Sequence, residues 1–354
     1  MSVTSVDRDG VDHAPRAPAR PHSTLTLRAT GLLVALALLV FVALLSVAVG
    51  SKAIPLGTVL HELFHYDGST DGVVIRSLRI PRTLLGLAVG AALGLAGALM
   101  QALTRNPLAD PGILGVNAGA SAAVVTAIGV LGLSSPSVYV WFALIGAGLA
   151  SIVVYLLGSR GRSAATPVRL ALAGAAITAV LQAFISGLVL MDQRTFDNYR
   201  FWSVGALAGR GLSVLYETGP FLLVGGLLAL GLARPLNALA LGDDAGRALG
   251  AHLGRTRALG VVAITLLCGG AVAAAGPIGF VGLTVPHIAR GITGPDQRWV
   301  LPYSMVLAPT LLLASDVIGR VVARPGEIEV GIVTAFVGAP VFIWIARRSR
   351  LAQL

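Results

Sequence analysis

Two histidines and a glutamate in the first third of the chain have the spacing of a zinc hydrolase motif. His61-Glu62-Leu63-Phe64-His65 places two imidazoles one helical turn apart, with a carboxylate that could activate a zinc-bound water. In a chain rich in apolar runs, this chemistry would be that of a membrane metalloprotease. The motif falls in a predicted outer loop that ends near Arg76, and His287 is predicted on the opposite side, so no third ligand is evident. We therefore expect His61 and Glu62 to be dispensable.

Three arginines form a second group of candidate residues. Arg79, Arg82 and Arg320 lie at the ends of apolar runs, on the side of the membrane where positive residues are normally sparse. A guanidinium group pairs bidentately with a carboxylate, so lysine would be a poor substitute. We predict that these arginines meet an acidic partner outside the cell, with attachment to lipid phosphates as the alternative.

Three uncharged polar residues, Gln101, Asn106 and Asn117, fall near membrane depth. Side chains of this kind either hydrogen-bond between helices, which is the commoner case, or line a polar pathway. The sequence leaves both interpretations open, and the three residues stand as candidates for lining a pathway.

The composition indicates whether these residues belong to a soluble protein or to a membrane protein. The chain has 354 residues, of which 55% are hydrophobic and 12% charged, and its mean hydropathy is +0.84. These values are typical of a polytopic membrane protein and exclude a soluble enzyme. The net charge of +10 could indicate nucleic-acid binding, but the arginines lie in short gaps between apolar runs. They are better placed to orient helices and contact lipid, so no nucleic acid is expected.

Other classes of chemistry are excluded or disfavoured. Lys52 is the only lysine and no Gly-x-x-x-x-Gly precedes it, so the chain contains no P-loop and any ATP hydrolysis belongs to another subunit. Cys268 is the only cysteine, which excludes an intrachain disulfide. No predicted span carries an ionisable residue in its interior, which disfavours a secondary transporter coupled to ions.

The segment from Arg79 to Ser121 organises the predicted elements. It contains an uncharged run, Thr83 to Thr104, that is long enough at 1.5 Å per residue to cross a bilayer core of roughly 30 Å. A stripe of small residues along this run lets another helix approach closely. The stripe consists of Gly86, Gly90, Gly94 and Gly97. Asn106-Pro107 then ends the helix and begins an irregular polar segment, which must be buried or line a cavity.

The apolar runs predict an all-α polytopic membrane protein with about ten transmembrane helices. The runs are 31–49, 83–104, two within 118–159, 170–191, 218–233, two within 258–286, 299–315 and 330–346. Proline-containing breaks follow the second and seventh spans, which suggests an internal repeat. Seventeen of the 26 basic residues fall on the side of the N-terminus, so both termini are predicted to be cytoplasmic. We assign 1–28 to a disordered cytoplasmic tail, 29–348 to the transmembrane domain with a cytoplasmic loop at 234–257, and 349–354 to the cytoplasmic end.

The central segment resembles the permease subunits of ABC importers for iron-siderophore complexes, haem and cobalamin. The resemblance rests on Arg-x-Pro-Arg at 79–82, Gln-Ala-Leu at 101–103 and the run from Asn106 to Gly115, and it extends from about residue 30 to the C-terminus. It implies the type II importer permease fold with an internal repeat. Two departures from the family pattern, Ala206 in place of serine and Glu329 in place of proline, concern details of the outer segments.

The resemblance also implies roles for two sets of residues. It assigns Arg79, Arg82 and Arg320 to contacts with glutamates of an outer binding protein. It assigns the loop 241–250, LGDDAGRALG, to docking on the ATPase subunit, with a solvated connector as the alternative. The coupling residues would be Gly242, Asp243, Asp244, Arg247, Leu249 and Gly250.

The function implied is that of a transmembrane permease subunit of an ABC importer. It would translocate an iron-siderophore complex across the bacterial plasma membrane with ATP hydrolysed by a separate subunit. The chain would be no enzyme and would hold no cofactor, since ATP and magnesium belong to the ATPase subunits. The expected partners are those ATPase subunits, an extracytoplasmic binding protein, a second permease copy or paralogue, and membrane lipid. Haem or cobalamin import stays open, and the membrane metalloprotease is the alternative from another class.

Overall fold

The computed structural model describes residues 22–133, 135–159, 167–248, 250 and 252–347, and these contain helices and no strand. The α-helices are α1 His22–Ala48, α2 Leu56–Phe64, α3 Thr70–Val74, α4 Ile80–Thr104, α5 Val116–Gly129, α6 Pro136–Ser159, α7 Pro167–Met191, α8 Gln193–Ser203, α9 Leu212–Gly231, α10 Ala233–Ala240, α11 Asp243–Ala248, α12 Leu253–Ala275, α13 Val281–Thr293, α14 Gln297–Val322 and α15 Val330–Arg347. A π-helical turn, Ile75–Arg79, joins α3 to α4, and a 3₁₀ turn, Pro111–Leu114, precedes α5.

The described residues contain seven helical stretches that are long and apolar enough to cross a membrane. They are Leu25–Ala48, Thr70–Thr104, Ser137–Ser159, Val168–Met191, Leu212–Gly231, Leu253–Ala275 and Gln297–Val322. Two shorter apolar helices are Val116–Gly129 and Val330–Ile343, and α13 has 13 residues. Each of the ten predicted spans therefore corresponds to one helix, and the predicted all-α polytopic fold is confirmed.

The N-terminal boundary and the first outer loop differ from the sequence-based expectation. Helix α1 begins at His22, so the predicted tail of 1–28 is wrong for its last seven residues. Residues 1–21 and 349–354 lie outside the described part of the chain. The predicted outer loop contains α2 and α3, because Ile54 and Val59 bury their side chains against Ile75 and give this segment a small core of its own.

Helix α4 lies at the centre of the bundle and contacts α14, α12, α13 and α9. A Cβ atom at Gly90 would lie 2.7 Å from the backbone nitrogen of Pro309 in α14. One at Gly97 would lie 2.7 Å from the Cα atom of Gly282 in α13. Both distances are too short for a real side chain, so the close approach predicted from the glycine stripe is confirmed, and two different helices use it.

The long helices α4 and α12 both end in an irregular segment that leads to a shorter helix. After α4, Arg105 has a left-handed backbone with φ 50°, and Asp110 accepts a hydrogen bond of 2.8 Å from the backbone nitrogen of Gly112. After α12, Gly276 has φ 75° and Phe280 has φ 67°. The same order of long helix, break and short helix thus occurs in both halves, as the predicted internal repeat requires.

Helix α7 is largely uncovered in the single chain. One stripe of its exposed surface consists of small or polar residues: Ala175, Ala179, Gln182, Ala183 and Ser186. Small and polar residues are typical of contacts between membrane helices, because they let backbones approach and form hydrogen bonds. This stripe therefore has the composition of a surface that another helix covers.

Candidate functional site

The first turn of α4 and the last turns of α14 are joined by one fully buried carboxylate, Asp316. Arg82 of α4 donates to it from Nε at 3.0 Å and from Nη2 at 2.7 Å, a bidentate arrangement. Arg320, one helical turn further along α14, donates to the Oδ2 atom of the same carboxylate. A single negative charge is therefore shared by two buried guanidinium groups.

The other donors of these two arginines connect further elements. Arg82 Nη1 donates to Glu327 Oε2 at 2.6 Å, in the loop before α15. Arg320 Nη1 donates to the carbonyls of Ser46 at 2.8 Å and Val49 at 3.0 Å, at the end of α1. Burial raises the pKa of Glu327, but the hydrogen bond and charge of Arg82 outweigh it, so the net shift is downward. Glu327 is therefore ionised at neutral pH.

Arg79 forms no ion pair within the described ranges and instead binds backbone carbonyls. Its Nη1 donates to Val47 at 3.0 Å and Ala48 at 2.6 Å, and its Nη2 donates to Lys52 at 2.5 Å. The carbonyls of Val47 and Ala48 lie at the C-terminal end of α1, where the helix dipole favours a cation. Arg79 thus caps α1, and its direct hydrogen-bond partners are carbonyl groups.

The three arginines predicted to face an outer partner lie together, but they are deeply buried. The exposed fraction is 4% for Arg79, 9% for Arg82 and 1% for Arg320. Sequence reasoning identified the arginines and missed Glu327 and the carboxylate of Asp316 as their partners. The spacing of Asp316 and Arg320, one turn apart, was a signal for an ion pair on one helix.

The predicted spans 83–104 and 299–315 contain no charged residue, and the charges of the network follow at their ends, in the first turn of α4 and the last two turns of α14. Arg82 lies within the membrane stretch that includes α4, and Asp316 and Arg320 lie within α14. The three charges pair with one another, which is how buried charges are kept in a low-dielectric environment. This is the arrangement of a structural ion network and not of a free ion-coupling group.

A cavity of 440 Å³ adjoins the network at this end of the bundle. Its charged lining residues are Lys52, Arg79, Arg82, Arg210, Arg320 and Glu327. Small residues of the segments 50–51 and 208–209 are also part of the wall. The cavity is therefore rich in cationic groups and open enough to admit an anion.

The histidine motif lies at the end of α2, in the folded segment between α1 and α4. The rings of His61 and His65 are exposed and stack with centroids 5.4 Å apart. Glu62 is 1% exposed, and its Oε1 accepts a hydrogen bond of 3.1 Å from Ser69 Oγ. The carboxylate thus points into the loop, whereas zinc hydrolysis would need it beside a metal held by the two imidazoles. The geometry assigns Glu62 a structural role.

The predicted coupling loop contains the two short helices α10 and α11. Asp243, the first residue of α11, accepts from Arg105 Nη2 at 2.7 Å, at the end of α4, and from Arg257 Nη2 at 2.9 Å in α12. Burial raises the pKa of Asp243, but the hydrogen bonds from Arg257 and Arg105 lower it more, so the net shift is downward. Asp244 and Arg247 are exposed. The loop is fastened to the bundle by Asp243 and presents the other two charges outward.

Glycines lie on either side of α11. Gly242 has φ 102° and Gly250 has φ 79°, a region that side chains with L chirality rarely adopt. They let the chain change direction at both ends of the short helix. Leu249, the remaining predicted coupling residue, lies outside the described residues.

The three candidate pathway residues have different environments. Gln101 is fully buried; its Nε2 donates to the carbonyl of Leu283 at 3.0 Å and its Oε1 accepts from Arg290 Nη2 at 2.9 Å. It therefore joins α4 to α13, which is the commoner of the two interpretations. Asn106 is exposed and Asn117 is half-buried. In the single chain, Asn106 is the member of this set that solvent reaches most readily.

An all-helical membrane bundle with a cationic network at one end and two short helices at the other defines a polytopic membrane permease. The sequence profile of the FecCD transport family matches residues 38–348. The chain belongs to this family.

Several relatives have named transport systems. FepD of Escherichia coli (strain K12), a ferric enterobactin transport system permease protein, is 48% identical over 314 residues, which cover 89% of this chain and 94% of FepD. YfmD of Bacillus subtilis (strain 168), an Fe(3+)-citrate import system permease protein, is 42% identical over 318 residues and covers 90% of this chain and 94% of YfmD. A solved inward-facing ABC transporter assigned to the metal-chelate type has a TM-score of 0.78 and 27% identity, with 92% of this chain and 99% of the other chain covered. The relatives are permease subunits of transport systems, and this chain is a multi-pass membrane protein of the same kind.

Proposed function

We propose that this protein is the permease subunit of an ABC importer that carries an iron-siderophore complex across the plasma membrane. The observation that carries the proposal is the two-ended arrangement of α4. Arg82 joins one end of the helix to the outer network, and Arg105, directly after its other end, contacts α11. A single element therefore connects the side where cargo arrives with the side where an ATPase would dock.

The cargo is assigned by the relatives. Their names concern ferric enterobactin and ferric citrate, which are anionic chelates of iron. An iron-siderophore complex is the cargo class that best fits these names together with the cationic outer cavity. Haem and cobalamin are the alternatives within the same family.

ATP hydrolysis belongs, in this proposal, to two separate subunits that bind ATP and magnesium. They dock against α10 and α11, where Asp244 and Arg247 are exposed. Asp243 would then transmit movement, because it ties α11 to α4 and α12. The permease itself catalyses no covalent step and requires no cofactor.

On the outer side, an extracytoplasmic binding protein would deliver the cargo. Arg79, Arg82 and Arg320 are the proposed docking residues, and they would be reached through the cavity mouth. Arg82 is already paired with Glu327, whose side chain is 27% exposed. An incoming carboxylate would share Arg82 with Glu327 or displace it, which makes the contact charge-assisted and sensitive to salt.

A second permease copy or a paralogue would complete the pathway, with the remaining surface in contact with membrane lipid. The small and polar stripe of α7 supports such a contact, because a face turned to lipid gains nothing from Gln182 or Ser186. The distribution of basic residues supports a cytoplasmic location for both termini and the loop 234–257.

Reconstitution tests the whole proposal. The permease is placed in lipid vesicles with its ATPase subunits and binding protein, and uptake of a ferric siderophore is measured with and without ATP. We expect uptake that requires ATP and all the components, and that stops when the P-loop lysine of the ATPase is replaced. Uptake driven by an ion gradient without the ATPase would instead indicate a secondary transporter.

A further inference from the structure

The outer cavity contains a cation, Arg210, that takes no part in the ion network. Arg210, in the loop between α8 and α9, lines the cavity and is half-buried. Within the part of the chain that the structure describes, it forms no hydrogen bond and no ion pair, and only longer-range charges act on it. Burial lowers the pKa of Arg210, although the charge of Glu329 opposes this. A guanidinium group held in this way is a site for an anion.

The rest of the cavity lining strengthens this preference. Arg82 and Arg320 are paired with carboxylates, and Lys52 is paired with Asp71 at 2.6 Å. Arg79 is bound only to carbonyls, so its positive charge remains. Low-dielectric walls around clustered charges of one sign focus the field and attract a counter-ion. Arg79 and Arg210 together therefore make the cavity positive.

The cavity also has a suitable size and position. A volume of 440 Å³ lies within the range of about 300–1,000 Å³ for small-molecule sites. Arg194 and Arg200 of α8 are exposed on the same side of the membrane, and a protein partner would meet them first. Arg210 is withdrawn into the cavity, where it is better placed to meet a small molecule than a protein surface.

We propose that Arg210 recognises an ionised carboxylate or catecholate oxygen of the iron chelate as the cargo leaves the binding protein. This inference rests on the proposed function, which supplies the chelate. The planar fork of guanidinium suits two adjacent oxygens, as both ligand types present. Glu329, a half-buried carboxylate of the last outer loop, opposes the binding because it adds negative charge near the same guanidinium.

The test compares two chelates in the reconstituted importer. A ferric tricatecholate chelate is anionic, and a ferric trihydroxamate chelate carries no net charge. We expect Arg210→Gln to lower the ratio of anionic to neutral uptake about ten-fold, which corresponds to about 1.4 kcal/mol. Arg210→Lys should restore part of the loss, and Glu329→Gln should raise the ratio. Arg194→Gln is the matched control, since it removes an exposed arginine of the same side.

Several results would overturn the proposal. Equal losses for both chelates would show that Arg210 is structural, and weaker docking of the empty binding protein would assign it to the protein contact. An unchanged ratio, or a wild-type importer that takes up only the neutral chelate, would also contradict it while leaving the importer function intact. If the wild type takes up only the anionic chelate, the salt dependence of its uptake is measured in place of the neutral chelate. Arg210→Gln should then make uptake less sensitive to sodium chloride, and the same salt dependence in variant and wild type would refute the site. A wild type that imports neither chelate with ATP would refute the proposed function itself.

Discussion

Asp316 shows how one side chain can determine the arrangement of a whole end of the molecule. It is fully buried and shared by Arg82 and Arg320, which come from different helices. Removing one partner of such a cluster leaves uncompensated charge in a low-dielectric environment, and this costs far more than the pair contributes when intact. The stability of the outer end therefore depends on this carboxylate.

The first prediction concerns its removal. Asp316→Asn should destabilise the protein by about 3–5 kcal/mol, because buried Arg320 loses its paired carboxylate and Arg82 keeps only Glu327. Thermal unfolding in detergent measures the effect. Asp197→Asn is the control, because it breaks an ion pair between the exposed side chains of Asp197 (46% exposed) and Arg200 (50% exposed). It should lower the free energy of unfolding by at most about 1 kcal/mol. Similar shifts for both variants would contradict the role of Asp316.

A second prediction separates the members of the histidine motif. The double variant His61→Ala/His65→Ala should leave uptake unchanged, because both rings are exposed. Glu62→Ala should increase proteolysis of the outer loop, since Glu62 is buried and accepts a hydrogen bond from Ser69. The structure thus limits the expectation of dispensability to the histidines. Stoichiometric zinc in the wild type, lost together with uptake in the histidine variant, would show that the motif is a metal site.

At the scale of helices, the sequence predicted most of the fold, because a span is a local property of about 20 apolar residues. The glycine stripe of α4 likewise predicted close packing. Contacts between distant positions could not be predicted from the sequence. Arg82 and Asp316 are 234 residues apart, and Arg79 binds backbone carbonyls, which every residue carries. Helices α2 and α3 were missed because they are 9 and 5 residues long, too short to give a clear period.

The third prediction tests how α11 is fastened. Asp243→Asn should increase hydrogen exchange of α11 in the isolated permease, because it weakens the bonds to Arg105 and Arg257. Asp244→Asn is the matched control, because the carboxylate of Asp244 lies next to Asp243 in the sequence but is exposed and forms no ion pair in the described part of the chain. Equal exchange in both variants would show that the two ion pairs do not hold the helix.

For the molecule as a whole, the charges define two different ends. One end of the bundle buries its arginines in a network beside a cavity, and the opposite end presents charged groups on short helices. Such a division is what a protein with different partners on each side requires, and the fourth and fifth predictions address it.

The fourth prediction is that Arg82→Gln weakens association with the binding protein about 30-fold, because truncating one partner of a buried charge pair costs roughly 2–5 kcal/mol. The association is measured with the loaded binding protein over a range of salt concentrations. Arg200→Gln, which removes an exposed outer arginine, should change the affinity little. Wild-type affinity and salt dependence in Arg82→Gln would mean that the docking residues lie elsewhere.

The fifth prediction concerns orientation. After Cys268, which is buried, is replaced by alanine, single cysteines are introduced at Phe64 and at Asp244, both exposed. An impermeant maleimide added to intact cells should label Phe64→Cys and should label Asp244→Cys only after the cells are opened. Cysteines placed near either terminus should behave like Asp244→Cys. The reverse pattern would invert the topology.

The continuous helix from Thr70 to Thr104 has a mechanical consequence. Its 35 residues at 1.5 Å each make a rod of about 50 Å, longer than the bilayer core of roughly 30 Å. Rocking such a lever by about 5° displaces one end relative to the other by about 4 Å, close to the 5.4 Å pitch of the helix itself. A small rotation at the end near Thr70 would thereby displace the end near Arg105 by several ångströms. Stiffness, and not flexibility, is the property through which this rod would carry a signal across the membrane.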